Sequence, residues 1–100
     1  MGSTVAPVIS DAPERSRYEA HLGDVLAGIL EYVVKRGRIA LTHTEVLPEF
    51  EGQGIGSALV RFALDDARAR GLPVLAVCPY VRSYLERHPE QADIVVARRG

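Results

Sequence analysis

His43 and Glu45 stand two residues apart, the spacing at which an extended strand presents two side chains on one face. Either can relay a proton, directly or through water. A solvated strand-end carboxylate and a histidine hydrogen-bonded beside the core fit the same spacing, so both readings stay open. Cys78 is the only cysteine, and Pro79 follows it, a residue suited to the first turn of a helix. A thiol at a helix mouth has a lowered pKa and a larger thiolate fraction, which is what an acyl-accepting nucleophile needs. The other reading is a small apolar residue at a strand end. Tyr80 and Tyr84 lie four apart on the expected helix, one above the other. A phenol there can protonate a leaving group, or pack with its hydroxyl at the surface. His21, His43 and His88 are scattered and no cluster has metal-ligand spacing, so no metal is expected.

The most informative stretch is Glu51-Gly52-Gln53-Gly54-Ile55-Gly56-Ser57. Glycines remove Cβ where backbone must approach a ligand closely or adopt positive φ. The first amides of a helix have no carbonyl partners, and its dipole favours negative charge there. A diphosphate is the natural occupant; a flexible strand-to-helix connection is the alternative. A dinucleotide fingerprint fails because Leu59 stands where its third glycine belongs, and a Walker loop fails because the turn has no lysine.

These groups need elements to position them. Arg17 to Leu22 alternates, with Tyr18, Ala20 and Leu22 on one side, and predicts a half-buried strand. Gly23-Asp24 turns into a second strand over Val25 to Val34, and Arg36-Gly37-Arg38 into a third over Ile39 to Val46. In the third, Ile39, Leu41, His43 and Glu45 are expected to share one face. Ile55, Ala58, Leu59, Phe62, Ala63 and Ala67 then follow helical steps, with Gly71 placed to end the helix. Pro73 introduces a short buried strand, Val74 to Val77. Pro79 opens a second helix to about His88, which Pro89 terminates. Ile94 to Ala97 reads as a terminal strand or a tail. The expected fold is α/β of the α+β kind: an antiparallel three-strand meander, then helix, strand, helix (βββαβα), giving a mixed sheet with helices packed on it. Residues 1–16, rich in small residues and broken by Pro7 and Pro13, read as a mobile arm in which Val5, Val8 and Ile9 allow a short edge contact. Residues 17–97 form the single domain.

One hundred residues suffice for one core, with 47% apolar and 25% charged types. One cysteine excludes an intrachain disulfide framework. A net charge of −1 gives no basic excess for nucleic acid or an anionic membrane. The apolar runs Val25 to Leu30 and Val74 to Cys78 are too short to span a bilayer, and the first ten residues show no secretion signal. The expectation is a cytoplasmic protein, monomeric or weakly dimeric.

His43-Thr44-Glu45-Val46 and, after a short linker, Gly52-Gln53-Gly54-Ile55-Gly56-Ser57-Ala58-Leu59 resemble the acetyl-CoA signature of the GNAT N-acetyltransferase superfamily. The closer resemblance is to its small stand-alone members, with Cys78 matching their cysteine at the end of the next strand. It covers Tyr18 to about Pro89. Glu51 departs from the pattern, which has Arg or Gln there, and Val77 and Tyr84 are only seven positions apart, closer than in larger members. The resemblance implies acetyl-CoA as cofactor, with Val46 and Leu47 offering backbone groups to the pantetheine arm. The amides of Gln53, Gly54, Ile55, Gly56 and Ser57 would hold the pyrophosphate, and the strands either side of the first helix would splay around the thioester. It implies transfer of an acetyl group to a primary amine, with His43 or Glu45 as base, Cys78 as acetyl carrier or wall of the acetyl site, and Tyr84 or Tyr80 as acid. Arg82 and Arg87 are candidates for the 3′-phosphate. A non-catalytic CoA-binding or protein-interaction module on the same fold is the alternative.

Overall fold

The computed structural model describes residues 6–96. Its strands are β1 (Val8–Ala12), β2 (Arg17–Leu22), β3 (Val25–Lys35), β4 (Arg38–Val46) and β5 (Val74–Ala76). The helices are α1 (Ile55–Arg70), between β4 and β5, and α2 (Pro79–Arg87) after β5. The sheet runs in sequence order, antiparallel from β1 to β4, and β5 joins β4 in parallel across the α1 crossover. The meander and the helix–strand–helix that follows it form as the sequence predicts.

Turn chemistry explains the hairpins. Arg36 and Gly37 both have positive φ, 57° and 74°, the backbone that matches the twist of a two-residue hairpin. The stripe on α1 buries Ile55, Leu59, Val60, Ala63, Leu64 and Ala67 against the sheet, each large aliphatic side chain contributing about 1.5–3 kcal/mol. Gly71, at φ 67°, ends the helix, and the Leu72 amide reaches back to the Ala67 carbonyl at 2.9 Å, a Schellman closure. Gly28 of β3 lets the start of α1 come close. A Cβ there would lie 3.0 Å from Ile55 Cγ2 and 3.0 Å from the Glu45 carbonyl oxygen.

Three expectations change. Part of the N-terminal arm is a full edge strand: β1 pairs with β2 from Val8↔His21 to Ala12↔Arg17, between Pro7 and Pro13. Polar bonds tie it down. Tyr32 donates to Asp11 Oδ1 at 2.6 Å and Arg70 lies 4.0 Å from Asp11; beside them, between β2 and α1, Tyr18 donates to Asp66 Oδ2 at 2.8 Å and Arg70 lies 3.1 Å from Asp66. Burial first, then these carboxylates, raise both phenols, Tyr32 to about 12. Val5 lies outside the described residues. Secondly, β5 stops at Ala76, because the Val77 and Cys78 amides both converge on the Leu41 carbonyl, at 3.1 and 2.9 Å, and end the ladder. Thirdly, the terminal segment is a 3-10 turn, Pro89–Ile94, followed by a single parallel bridge of Val95 to Val74. Ala97 lies outside the described residues.

Candidate active site

The sheet opens where the chemistry-bearing residues gather. β4 pairs with β5 only from Ile39↔Val74 to Leu41↔Ala76, whereas it pairs with β3 as far as Val46↔Gly28. Beyond Leu41 no strand among the described residues pairs with the β5 side of β4, and the two strands part. The Leu47 amide donates to the Ala27 carbonyl at 2.9 Å. Alternation along an antiparallel strand then turns the Val46 N–H and C=O to the open side. Leu47 does not share that role, since its carbonyl accepts from Phe50 at 2.9 Å and both its groups are used internally.

A β-bulge changes which side chains face this opening. Glu31 pairs with His43 and Tyr32 with Leu41, leaving Thr42 as an extra residue on β4; its hydroxyl donates to the Glu31 carbonyl at 3.2 Å. One inserted residue reverses the alternation. Thr44 and Val46 consequently share the α1-facing side with Ile39 and Leu41, opposite Leu30 and Gly28. His43 and Glu45 fall on the other side of the sheet, correcting the expected common face. They remain a pair, Nε2 to Oε1 at 3.4 Å, both more than half exposed, where such contacts are worth little.

A cavity of about 510 Å³ occupies the α1 side of the opening. Thr44 and Val46 form one wall, the turn from Glu51 to Ser57 another, and Tyr80 of α2 closes it. Gly54 caps α1 at φ 78°, with no side chain bonded to the helix start. Among the described residues no carbonyl or side chain accepts from the amides of Gln53, Gly54, Ile55, Gly56 or Ser57. Gly54, Ile55, Gly56 and Ser57 line the cavity; Gln53 does not, its side chain reaching 3.5 Å to the Glu49 carbonyl. The Tyr80 ring lies over the first turn, so a Cβ on Gly56 would come within 2.6 Å of its hydroxyl. That hydroxyl is 3.4 Å from Ser57 Oγ. Free amides at a helix start suit a negatively charged group, whereas Glu51 on the rim is acidic.

Cys78 is the residue before α2, buried, with Sγ 3.3 Å from Thr44 Oγ1. Burial pushes the thiol up, but the Thr44 hydroxyl and the amides of Val81 and Tyr80 outweigh it and leave the pKa below the ordinary value. Cys78 does not line the cavity itself; it meets it through Thr44. Tyr84 is elsewhere: buried, stacked on the His88 ring at 4.2 Å and bordering a separate cavity with Arg61 and Phe62 of α1. The structure thus groups Cys78, Val46 and the Gly54–Ser57 amides, and sets apart Tyr84, Leu47 and the His43–Glu45 pair. The sequence reading missed Thr44 as a side chain of the site. Its signal is the polar run Thr42-His43-Thr44-Glu45, which interrupts the apolar alternation begun by Ile39 and Leu41.

Splayed strands around a helix start with free amides define a recognisable class. A family model of GCN5-related N-acetyl-transferases matches residues 17–94, and the chain belongs to that family. Protein NATD1 of Homo sapiens is 36% identical over 61 residues, covering 61% of this chain and 53% of that protein. Protein NATD1 of Xenopus tropicalis is 34% identical over 61 residues, covering 61% of this chain and 55% of its own. The match thus spans about half the length of these relatives. The solution NMR structure of a GCN5-like protein from Staphylococcus aureus superposes with a TM-score of 0.69 at 22% identity, covering 92% of this chain and 90% of that one. That likeness establishes the fold. No helix among the described residues is long and apolar enough to cross a membrane.

Proposed function

We propose that the chain binds acetyl-CoA in the cavity between β4, the glycine turn and α2, and transfers its acetyl group to a primary amine. One observation carries this reading: the unpartnered amides of Ile55, Gly56 and Ser57 border a cavity at the point where β4 and β5 part. Those amides would take the pyrophosphate, and the free groups of Val46 would take the pantetheine as an added strand does.

The residues support two routes. In one, the Cys78 thiolate attacks the thioester carbonyl. A new C–S bond forms, the bond to the CoA sulfur breaks, and the departing thiolate takes a proton from water or from the hydroxyl of Tyr80, which borders the cavity. An amine then attacks the acetyl-cysteine: the C–N bond forms, the bond to Cys78 Sγ breaks to return the thiolate, and the amine's proton passes to water. In the other, a neutral amine attacks acetyl-CoA directly from the opposite side of the sheet: the C–N bond forms, the bond to the CoA sulfur breaks, CoA leaves as the thiolate and is protonated by water, and His43 or Glu45 can take the amine's proton. Tyr80 replaces Tyr84 in this scheme because it, and not Tyr84, borders the cavity. Glu51 favours a second reading, a CoA-binding module without turnover, since a carboxylate at the rim opposes a bound phosphate.

Thermal shift with acetyl-CoA, CoA and ATP tests the cofactor. Stabilisation by the first two is expected; indifference to all three removes the reading. Thiol release with a panel of amines, compared among the wild type, Cys78→Ala and Glu45→Gln, separates the routes. Tight CoA binding with no release supports the module.

A further inference from the structure

Thr44 is half-buried on the α1-facing side of β4 and borders the cavity, where a hydroxyl is met by water or by a protein partner. Thr44 lies opposite Leu30, which is fully buried. Its side chain has one partner among the described residues, Cys78 Sγ at 3.3 Å. Valine has nearly the same branched shape and no hydroxyl to satisfy, so packing alone does not account for threonine here. Nor does plain alternation deliver it. Without the extra residue at Thr42, position 44 would point to the other side of the sheet, away from Cys78.

We propose that Thr44 is the positioning residue of Cys78: its hydroxyl donates to the sulfur, fixes the side chain and favours the thiolate over the thiol. The bond has a direction because a thiolate has only lone pairs to offer, while the hydroxyl has one proton to give. The proton lost by the thiol passes to water. The Tyr80 and Val81 amides of α2 and the backbone amide of Thr44 itself also favour the thiolate, and a substitution at position 44 leaves all three in place. Thr44 is the side-chain donor from across the opening, so the ionisation of the thiol reports how closely β4 and α2 approach. Titratable and charged groups on the surrounding elements are Tyr80, Arg82, Tyr84, Glu86 and Arg87 on α2, Arg38, His43 and Glu45 on β4, and Arg61, Asp65, Asp66, Arg68 and Arg70 on α1. His43 and Glu45 face the other side of the sheet; Arg61 and Asp65 act on Tyr84. The consequence for acetyl transfer rests on Cys78 being the acyl carrier, but the test does not.

The experiment is a pH titration of far-ultraviolet thiolate absorbance on the full chain, with the Cys78→Ala variant subtracted to remove the tyrosines. With a single cysteine, the difference belongs to Cys78 alone. Thr44→Val is expected to raise the midpoint by about one pH unit, a roughly tenfold fall in thiolate fraction below it. Thr44→Ser, which keeps the hydroxyl, is expected to stay close to wild type. An unchanged midpoint in Thr44→Val, or an equal rise in both variants, overturns the proposal. If Thr44→Val does not fold, Thr44→Ala takes its place with the same outcomes. No acetyl-CoA is present, so failure here leaves the cofactor reading intact, and indifference to acetyl-CoA leaves this one intact.

Discussion

The two halves of β4 are built for different tasks. From Arg38 to Leu41 the strand is flanked by β3 and β5, and Ile39 and Leu41 are fully buried. From Thr42 to Val46 it keeps β3, loses β5, and turns Thr44 and Val46 to the cavity wall. The border is one inserted residue and one carbonyl, that of Leu41, which receives both the Val77 and Cys78 amides. The lesson is that the site is assembled by ending the ladder early. The free backbone at the opening is then a by-product of a core that is fully satisfied a few residues below.

That contrast can be broken from either side. The largest expected effect is in the packed half: Leu41→Ala loses about 2–5 kcal/mol in urea denaturation, whereas Val46→Ala, at the half-buried rim, loses clearly less. An equal loss at both positions would erase the distinction. Gly56→Ala sharpens it from the cleft. The added methyl would lie 2.6 Å from the Tyr80 hydroxyl, so the ring must shift at the cavity wall, and acetyl-CoA affinity measured by calorimetry falls by at least about tenfold.

A smaller effect tests the paired side of the sheet. The Glu19 carboxylate is nearly buried, bonded by Arg17 at 2.9 Å and Arg15 at 3.2 Å. The Arg17 bond, acting against burial, holds its pKa below the usual 4.5. A carboxylate lowered in the folded state stabilises fully at neutral pH and loses that contribution as pH falls through the native value. Glu19→Gln is thus expected to cost about 1–3 kcal/mol at neutral pH. The gap to wild type shrinks as pH drops past 4.5 and closes below the native pKa. A gap that persists in acid contradicts it. Smallest is Glu51→Gln, expected to tighten CoA binding by roughly twofold to fivefold, since an exposed charge acts through water.

Much of this was legible in the residues. Period-two and period-three-to-four patterns locate β2, β3, β4 and α1, and Gly54, Gly56 and Gly71 mark the ends of the helix, because local sterics decide those features. The side chains of the site were less legible, and Thr42 is the reason. A bulge adds a residue without a composition signal, so alternation read from Ile39 carries His43 and Glu45 to the wrong side and hides Thr44. Tyr84 and Tyr80 differ by one helical turn, and only the packing of α2 against Gly56 decides which reaches the cavity. The strand β1 was hidden because its side-chain hold comes from Tyr32 and Arg70 on Asp11, residues that lie far along the chain.

The central claim is that free amides at the start of α1 receive the cofactor. Amide chemical shifts recorded while acetyl-CoA is added to isotope-labelled chain test it most directly. The account predicts that Gly54, Ile55, Gly56, Ser57 and Val46 move most and saturate together. Shifts centred elsewhere, or none at saturating cofactor, would contradict it.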